Sequence, residues 1–320
     1  MTILLGHDEP WRQFSSALTG GRLHHGWILA GPRGVGKAGF ALRAAAALVD
    51  PRGQHGNLID RGSHPDVIII KRLPKEAAKD DQDTDDSTEL KRSITIDQIR
   101  GLQASLTTRP GLSDKRAIII DAADDLERNG ANALLKSLEE PPVGTYFLLV
   151  SHASDRLLPT IRSRCQMLRF EPLGNADMAL ALAAAAPDAS GNDIETLVRT
   201  GNGAPGQAID YIGLDLGELE GAMTSIMLTG DRSNALRSGL AEQLALKAAQ
   251  PRYEAFLRRA PSFIAEQARQ RQASDALTAV EAWRAASSLA NRAIPLSLDK
   301  QSVVLQMGSL LASLQPHKAA

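Results

Sequence analysis

Trp27-Ile-Leu-Ala-Gly31-Pro-Arg-Gly-Val-Gly36-Lys37-Ala38 is an apolar, strand-like run that enters a glycine-rich turn. It leaves through strong helix formers, Gly39-Phe-Ala-Leu-Arg-Ala-Ala-Ala-Ala-Leu48. The spacing Gly31-x-x-x-x-Gly36-Lys37 is that of a phosphate-binding loop. The turn Gly31-Pro32-Arg33-Gly34-Val35-Gly36 points the backbone N–H groups of its residues other than Pro32, which has none, toward a polyphosphate; Lys37 adds a point charge, and the positive end of the following helix stands behind it. Where the motif calls for a Ser or Thr hydroxyl to ligate Mg²⁺, Ala38 carries a methyl group, so a bound nucleotide lacks one metal contact. The bland alternative is a glycine-rich turn kept as scaffold, since the glycines also serve the turn itself.

Further along, Ala117-Ile-Ile-Ile120-Asp121 reads as a buried strand ending in the carboxylate that, in a nucleotide site, holds Mg²⁺ through water. An acidic residue normally follows at once to polarise the attacking water. Here Ala122-Ala123 follow, and the next carboxylate, Asp124, is displaced by about one helical turn. Two omissions in one reaction predict a weak or vestigial site. Tyr146-Phe-Leu-Leu-Val150-Ser151 supplies another buried-type strand, with Ser151 expected toward the γ-phosphate region. Val67-Ile-Ile-Ile70 and Gln166-Met-Leu-Arg-Phe170 are further strands, and helices are expected over Pro10–Thr19, Ile94–Leu106 and Asn129–Glu140. This alternation predicts an α/β fold, a parallel sheet covered on both faces.

The 320 residues suffice for two or three domains, and a net charge of −1 advertises neither a nucleic-acid nor a membrane binder. Aromatics at 4% argue against a base-stacking platform. The single cysteine, Cys165, excludes an internal disulfide and a Cys-rich zinc site. No charged-then-apolar leader and no membrane-length apolar run are seen, so a soluble, cytoplasmic chain is expected. His24-His25 suggest metal binding, with loop histidines beside a strand as the plainer reading; His55 and His64 lack cysteine neighbours. Lys75 to Thr88, rich in aspartate, reads as a solvated insertion rather than an acidic metal site.

Three stretches carry a family resemblance: Gly31-Pro-Arg-Gly-Val-Gly-Lys37, Asn132-Ala-Leu-Leu-Lys-Ser-Leu-Glu-Glu-Pro-Pro142 and Leu157-Leu-Pro-Thr-Ile-Arg-Ser-Arg-Cys165. They resemble the AAA+ clamp-loader subunits of bacterial DNA polymerase III. Ala38 and Asp121-Ala-Ala-Asp124 are similar to the non-hydrolysing delta-prime branch rather than to the hydrolysing gamma/tau members. The resemblance is specific over residues 1–210. It implies that Ser163, Arg164 and Cys165 form the family's Ser-Arg-Cys motif and that Arg164 is an arginine finger reaching a neighbouring subunit's ATP site. A guanidinium stays charged and donates along a rigid fork, as that role requires; the alternative is a surface arginine in an intramolecular ion pair.

The resemblance also implies gamma/tau and delta partners in a hetero-pentamer, a sliding clamp, and primer-template DNA reached through the complex. It implies a subunit of a DNA polymerase holoenzyme with no independent ATPase activity, no required cofactor and at most weak ATP or ADP binding. Some delta-prime subunits carry a four-cysteine zinc module after the loop helix; its cysteines are absent here, and no zinc is expected. The second-domain sensor position, commonly Arg in hydrolysing relatives, falls on Gln207.

The expected organisation is a nucleotide-binding-type domain over 1–171, a small helical lid over 172–217 and an all-α collar over 218–320, with breakers at Gly230, Pro251, Pro261 and Pro295. The last part carries more Lys and Arg than Asp and Glu, so DNA contact stands beside the default of a solvated basic face. Met223, Met227 and Leu228 are expected in its core. The competing functions are an autonomous AAA+ ATPase or remodelling motor and, with less in the sequence to support it, a nucleotide kinase.

Overall fold

The computed structural model describes residues 5–74, 90–187, 189, 191–271 and 273–316, so the acidic segment Lys75–Thr88 lies outside the described residues. Contacts group the chain into two units, Met1–Ile209 and Asp210–Ala320. The first runs α1 (Asp8–Thr19), β1 (Gly26–Ala30), α2 (Lys37–Val49), α3 (Gly56–Asp60), β2 (Val67–Lys71), α4 (Ile96–Ser105), β3 (Arg116–Asp121), α5 (Arg128–Glu139), β4 (Thr145–Ser151), α6 (Pro159–Arg162), β5 (Gln166–Arg169), α7 (Asn175–Ala185), α8 (Gly191–Thr200) and α9 (Pro205–Ile209).

All five strands pair in parallel, in the order β2-β3-β4-β1-β5. Successive side chains on a strand point to opposite faces, and the core divides accordingly. Trp27, Leu29, Ala117, Ile119, Leu148 and Val150 face one side with Phe14 of α1 and Phe40 of α2. Ile28, Ile118, Ile120, Phe147 and Leu149 face the other with Ile99 of α4 and Leu134 of α5. A sheet covered on both faces needs near-continuous apolar strands, which is why the isoleucine and leucine runs are legible as parallel β-structure. The α/β fold expected from the sequence is the one observed.

Because the strands are parallel, the sheet has two chemically different ends. The loops after β1, β3 and β4 leave from one, where ligands of open parallel sheets bind. The segments entering β1, β4 and β5 gather at the other. β1 lies between β4 and β5, so the Gly31–Lys37 turn sits at the point where the chain order across the sheet reverses.

Local departures have physical causes. Ile94, expected to open a helix, forms a bridge with Leu126, and α4 starts two residues later behind a capping box of Thr95 and Gln98. Asp66, wholly buried, accepts the N–H groups of Gly111 (2.6 Å), Leu112 (2.8 Å) and Ser113 (2.9 Å), fixing the turn before β3.

The second unit is α-helical: α10 (Leu216–Thr229), α11 (Ala235–Ala245), α12 (Gln250–Arg269), α13 (Ala273–Ala293) and α14 (Lys300–Ala312). Pro261 does not break it. α12 runs through Pro261, and burial of Tyr253, Phe256, Leu257, Phe263 and Ile264 outweighs a penalty of about 3 kcal/mol for an interior proline. Met223 and Met227 are core residues as expected, but Leu228 is 56% exposed on the opposite side of α10. Arg259, buried, links α12 to α10 by donating to Glu220 (2.7 Å), and within α12 it donates in two-pronged fashion to Glu266 (2.8 and 2.9 Å).

Candidate functional site

At the first end of the sheet the loop has the backbone shape its glycines predict. Gly34 and Gly36 take φ of +82° and +106°, where an L side chain is strained. A Cβ on Gly31 would lie 2.3 Å from the carbonyl oxygen of Phe170 at the end of β5. Lys37, 3% exposed, turns its ammonium into the loop itself, donating to Gly31 O (2.6 Å) and Pro32 O (2.5 Å). Burial pulls its pKa down to about 8 against the opposing charges of Asp124 and Asp121. His7, also buried, donates from Nε2 to Val35 O (2.5 Å) and packs edge-on against Phe170.

The start of α9 closes over the same loop. Gly206 N–H donates to Gly34 O (2.8 Å) and the Gln207 amide donates to Arg33 O (3.0 Å). Gln207, singled out as the sensor position, is thus bonded to a loop carbonyl. Ala38 is the second residue of α2 and exposes its methyl group.

The carboxylates divide their duties. Asp121, half-buried at the end of β3, has its pKa raised by desolvation, with Lys37, Arg33 and Lys71 opposing. Asp124 accepts from Ser151 Oγ (2.9 Å), His152 N (2.6 Å) and Ala153 N (3.1 Å). Its carboxylate therefore ties the turn after β3 to the turn after β4, and Ser151, expected toward the γ-phosphate region, donates to it at the end of β4. Asp125 pairs with Arg72 at 3.0 Å. The His152 pKa is lowered to about 4, by loss of water first and then by the positive charges of Lys37, Arg33 and Arg72, against Asp124.

The donor set fits a polyphosphate held by backbone N–H groups. It does not fit metal-dependent hydrolysis, which needs a hydroxyl where Ala38 stands and a carboxylate where Ala122 stands; the next carboxylate, Asp124, is already bonded. Among the described residues no group of three or more His, Cys, Asp or Glu side chains is arranged to hold a metal ion.

The other end of the sheet carries Ser163, Arg164 and Cys165, in the turn between α6 and β5. Arg164 donates from Nη1 to Thr160 O (2.9 Å) and Ser163 Oγ (3.3 Å), and its Nη2 pairs with Glu139 Oε1 at 2.6 Å. The two side chains are 33% and 48% exposed. Cys165 is inward: its Sγ packs on Gly26, where a Cβ would come within 2.9 Å of it, and burial pushes the thiol up to about 12. It is a packing residue, not a nucleophile. Gly26 opens β1 and Ala30 closes it, so the Arg164 turn and the glycine loop are separated by four strand steps of about 3.3 Å. The chain's own Arg164 stands at the wrong end of the sheet to serve its own loop.

The histidines have structural partners. His25 donates from Nε2 to Leu138 O (2.9 Å) and stacks on His24, with ring centroids 4.3 Å apart; burial, then His24, lowers its pKa. His55 lies 3.8 Å from Asp50 and edge-on to His64. Sequence reasoning missed His7 and the role of Glu139. The available signal for Glu139 was a carboxylate at a helix C-terminus, the end that disfavours negative charge.

Fold and site define a class: an α/β domain with a phosphate-loop turn at one end of a parallel sheet, with Ala38 at the position after the loop lysine. Residues 6–174 match the family described as DNA polymerase III, delta subunit. The chain belongs to that family. It is similar to the DNA polymerase III subunit delta' of Pseudomonas aeruginosa, 36% identical over 208 residues covering 61% of this chain and 58% of that protein. It is also similar to the DNA polymerase III subunit gamma of Buchnera aphidicola, 32% identical over 168 residues, 52% of this chain and 44% of that protein. The match thus spans about half the length of these curated relatives. Among solved structures, a DNA polymerase III gamma subunit-related protein of Thermotoga maritima aligns over 95% of this chain and 99% of its own, with 15% identity and a TM-score of 0.49.

Proposed function

We propose that this chain is a non-hydrolysing subunit of a bacterial DNA polymerase III clamp loader, and that Arg164 acts in trans on the ATP site of a neighbouring gamma/tau-type subunit. The observation that carries the proposal is the separation of the two ends: Arg164 is a partly exposed cation a full strand length from the chain's own loop, and that loop fits no hydrolytic metal. A guanidinium at that edge stabilises charge developing on a γ-phosphoryl group across an interface while the neighbour supplies metal and water. Family membership and the similarity to delta' and gamma subunits support the setting. In this reading residues 172–217 form a lid on the loop, 218–320 a collar for assembly with gamma/tau and delta subunits, and the complex loads a sliding clamp on primed DNA.

The experiment compares the purified chain with the reconstituted complex. The chain alone with Mg²⁺ and ATP should show no turnover above background. Arg164→Ala should lower the complex's ATPase by about 10³-fold with assembly unchanged by gel filtration. Brisk hydrolysis by the chain alone, abolished by Lys37→Ala, would instead establish an autonomous motor.

A further inference from the structure

Glu139 and Glu140 close α5 at its C-terminal end, where the helix dipole disfavours carboxylates; Lys136, one turn earlier, is the residue type that end calls for. Pro141 and Pro142 follow, and Pro141, lacking an N–H, stops the helix there. Glu139 therefore sits where it costs the helix stability, and its carboxylate meets Arg164 Nη2 at 2.6 Å. The other terminal nitrogen of Arg164 is on Thr160 O (2.9 Å) and Ser163 Oγ (3.3 Å). Both nitrogens that a phosphoryl group engages in a two-pronged contact are thus committed within the chain.

From this geometry we propose that Glu139 is a latch: it holds the Arg164 guanidinium against α5, and a neighbouring nucleotide must displace it before Arg164 can act. The inference rests on the trans role of Arg164 and adds its regulation. The pair is partly exposed, so the latch is light and is set to be opened by a polyanion, whose charge outcompetes one carboxylate. Removing it relieves both the competing hydrogen bond and the negative charge beside the phosphate.

The test is Glu139→Gln, which keeps shape and removes charge, in the reconstituted complex. Steady-state ATPase in the absence of clamp and DNA should rise about two- to fivefold, the range of an exposed ion pair, in kcat rather than KM. The gain should vanish in an Arg164→Ala background. Glu140→Gln, which removes a charge from the same helix end, should leave the rate at wild type. Unchanged or slower turnover with Glu139→Gln overturns the latch, as does a gain that persists without Arg164. If Arg164→Ala slows the complex while Glu139→Gln does not speed it, the latch fails and the trans role stands; if Arg164→Ala has no effect, both fail.

Discussion

The two ends of the sheet carry one conspicuous cation each, and they are used in opposite ways. Lys37 is buried and bonded to two carbonyls of its own loop. Arg164 lies at the rim, held by one carboxylate and short-range contacts. One end has turned its polar groups inward, with Asp124 and Gln207 also bonded to protein groups; the other carries a partly exposed guanidinium, the group proposed above to act on a partner. Under the proposed function, the loop end is a rigid platform and the working group is at the far edge.

This contrast can be broken in several ways. The largest expected effect is at the rim, where Arg164→Ala should cost the assembled ATPase about 10³-fold and the chain's own stability little, since exposed pairs are worth at most about 1 kcal/mol.

The next is a pH signature of the inward end. Lys37 has a folded pKa of about 8, below its ordinary value of 10.5. Between these values the unfolded chain binds the proton and the folded one does not, so stability rises with pH across this window, and below it the lysine is a net cost. Relative to Lys37→Met, the wild type should gain up to about 3 kcal/mol from pH 8 to 10.5, read from urea unfolding at each pH. A flat difference would mean that Lys37 is solvated.

A smaller effect is expected from Asp124→Ala. It removes three acceptor contacts and leaves the buried Ser151 hydroxyl without its partner, which should lower stability by about 2 kcal/mol. A general base would show a rate effect without that loss. The Glu139→Gln gain, two- to fivefold, is the smallest and the one that sharpens the description of the rim.

What could be read from the sequence follows from range. Gly31, Gly34 and Gly36 encode backbone freedom locally, and the β-branched runs encode buried parallel strands, so loop, sheet and the missing groups at Ala38 and after Asp121 were legible. The partners of Lys37, Asp124 and Arg164 were not. Ser151 lies 27 residues from Asp124, and Glu139 reaches Arg164 only because α5 and α6 end at the same edge. Pro261 was misread for a related reason: a local breaking tendency yields to the tertiary burial of α12.

The central claim is that the chain acts through Arg164 and not through its own loop. Its most direct test compares Arg164→Ala with Lys37→Ala in the same assembled complex. The expected result is ATP turnover down about 10³-fold for the first and within roughly twofold of wild type for the second. Turnover that survives the loss of Arg164 and collapses with the loss of Lys37 would contradict it.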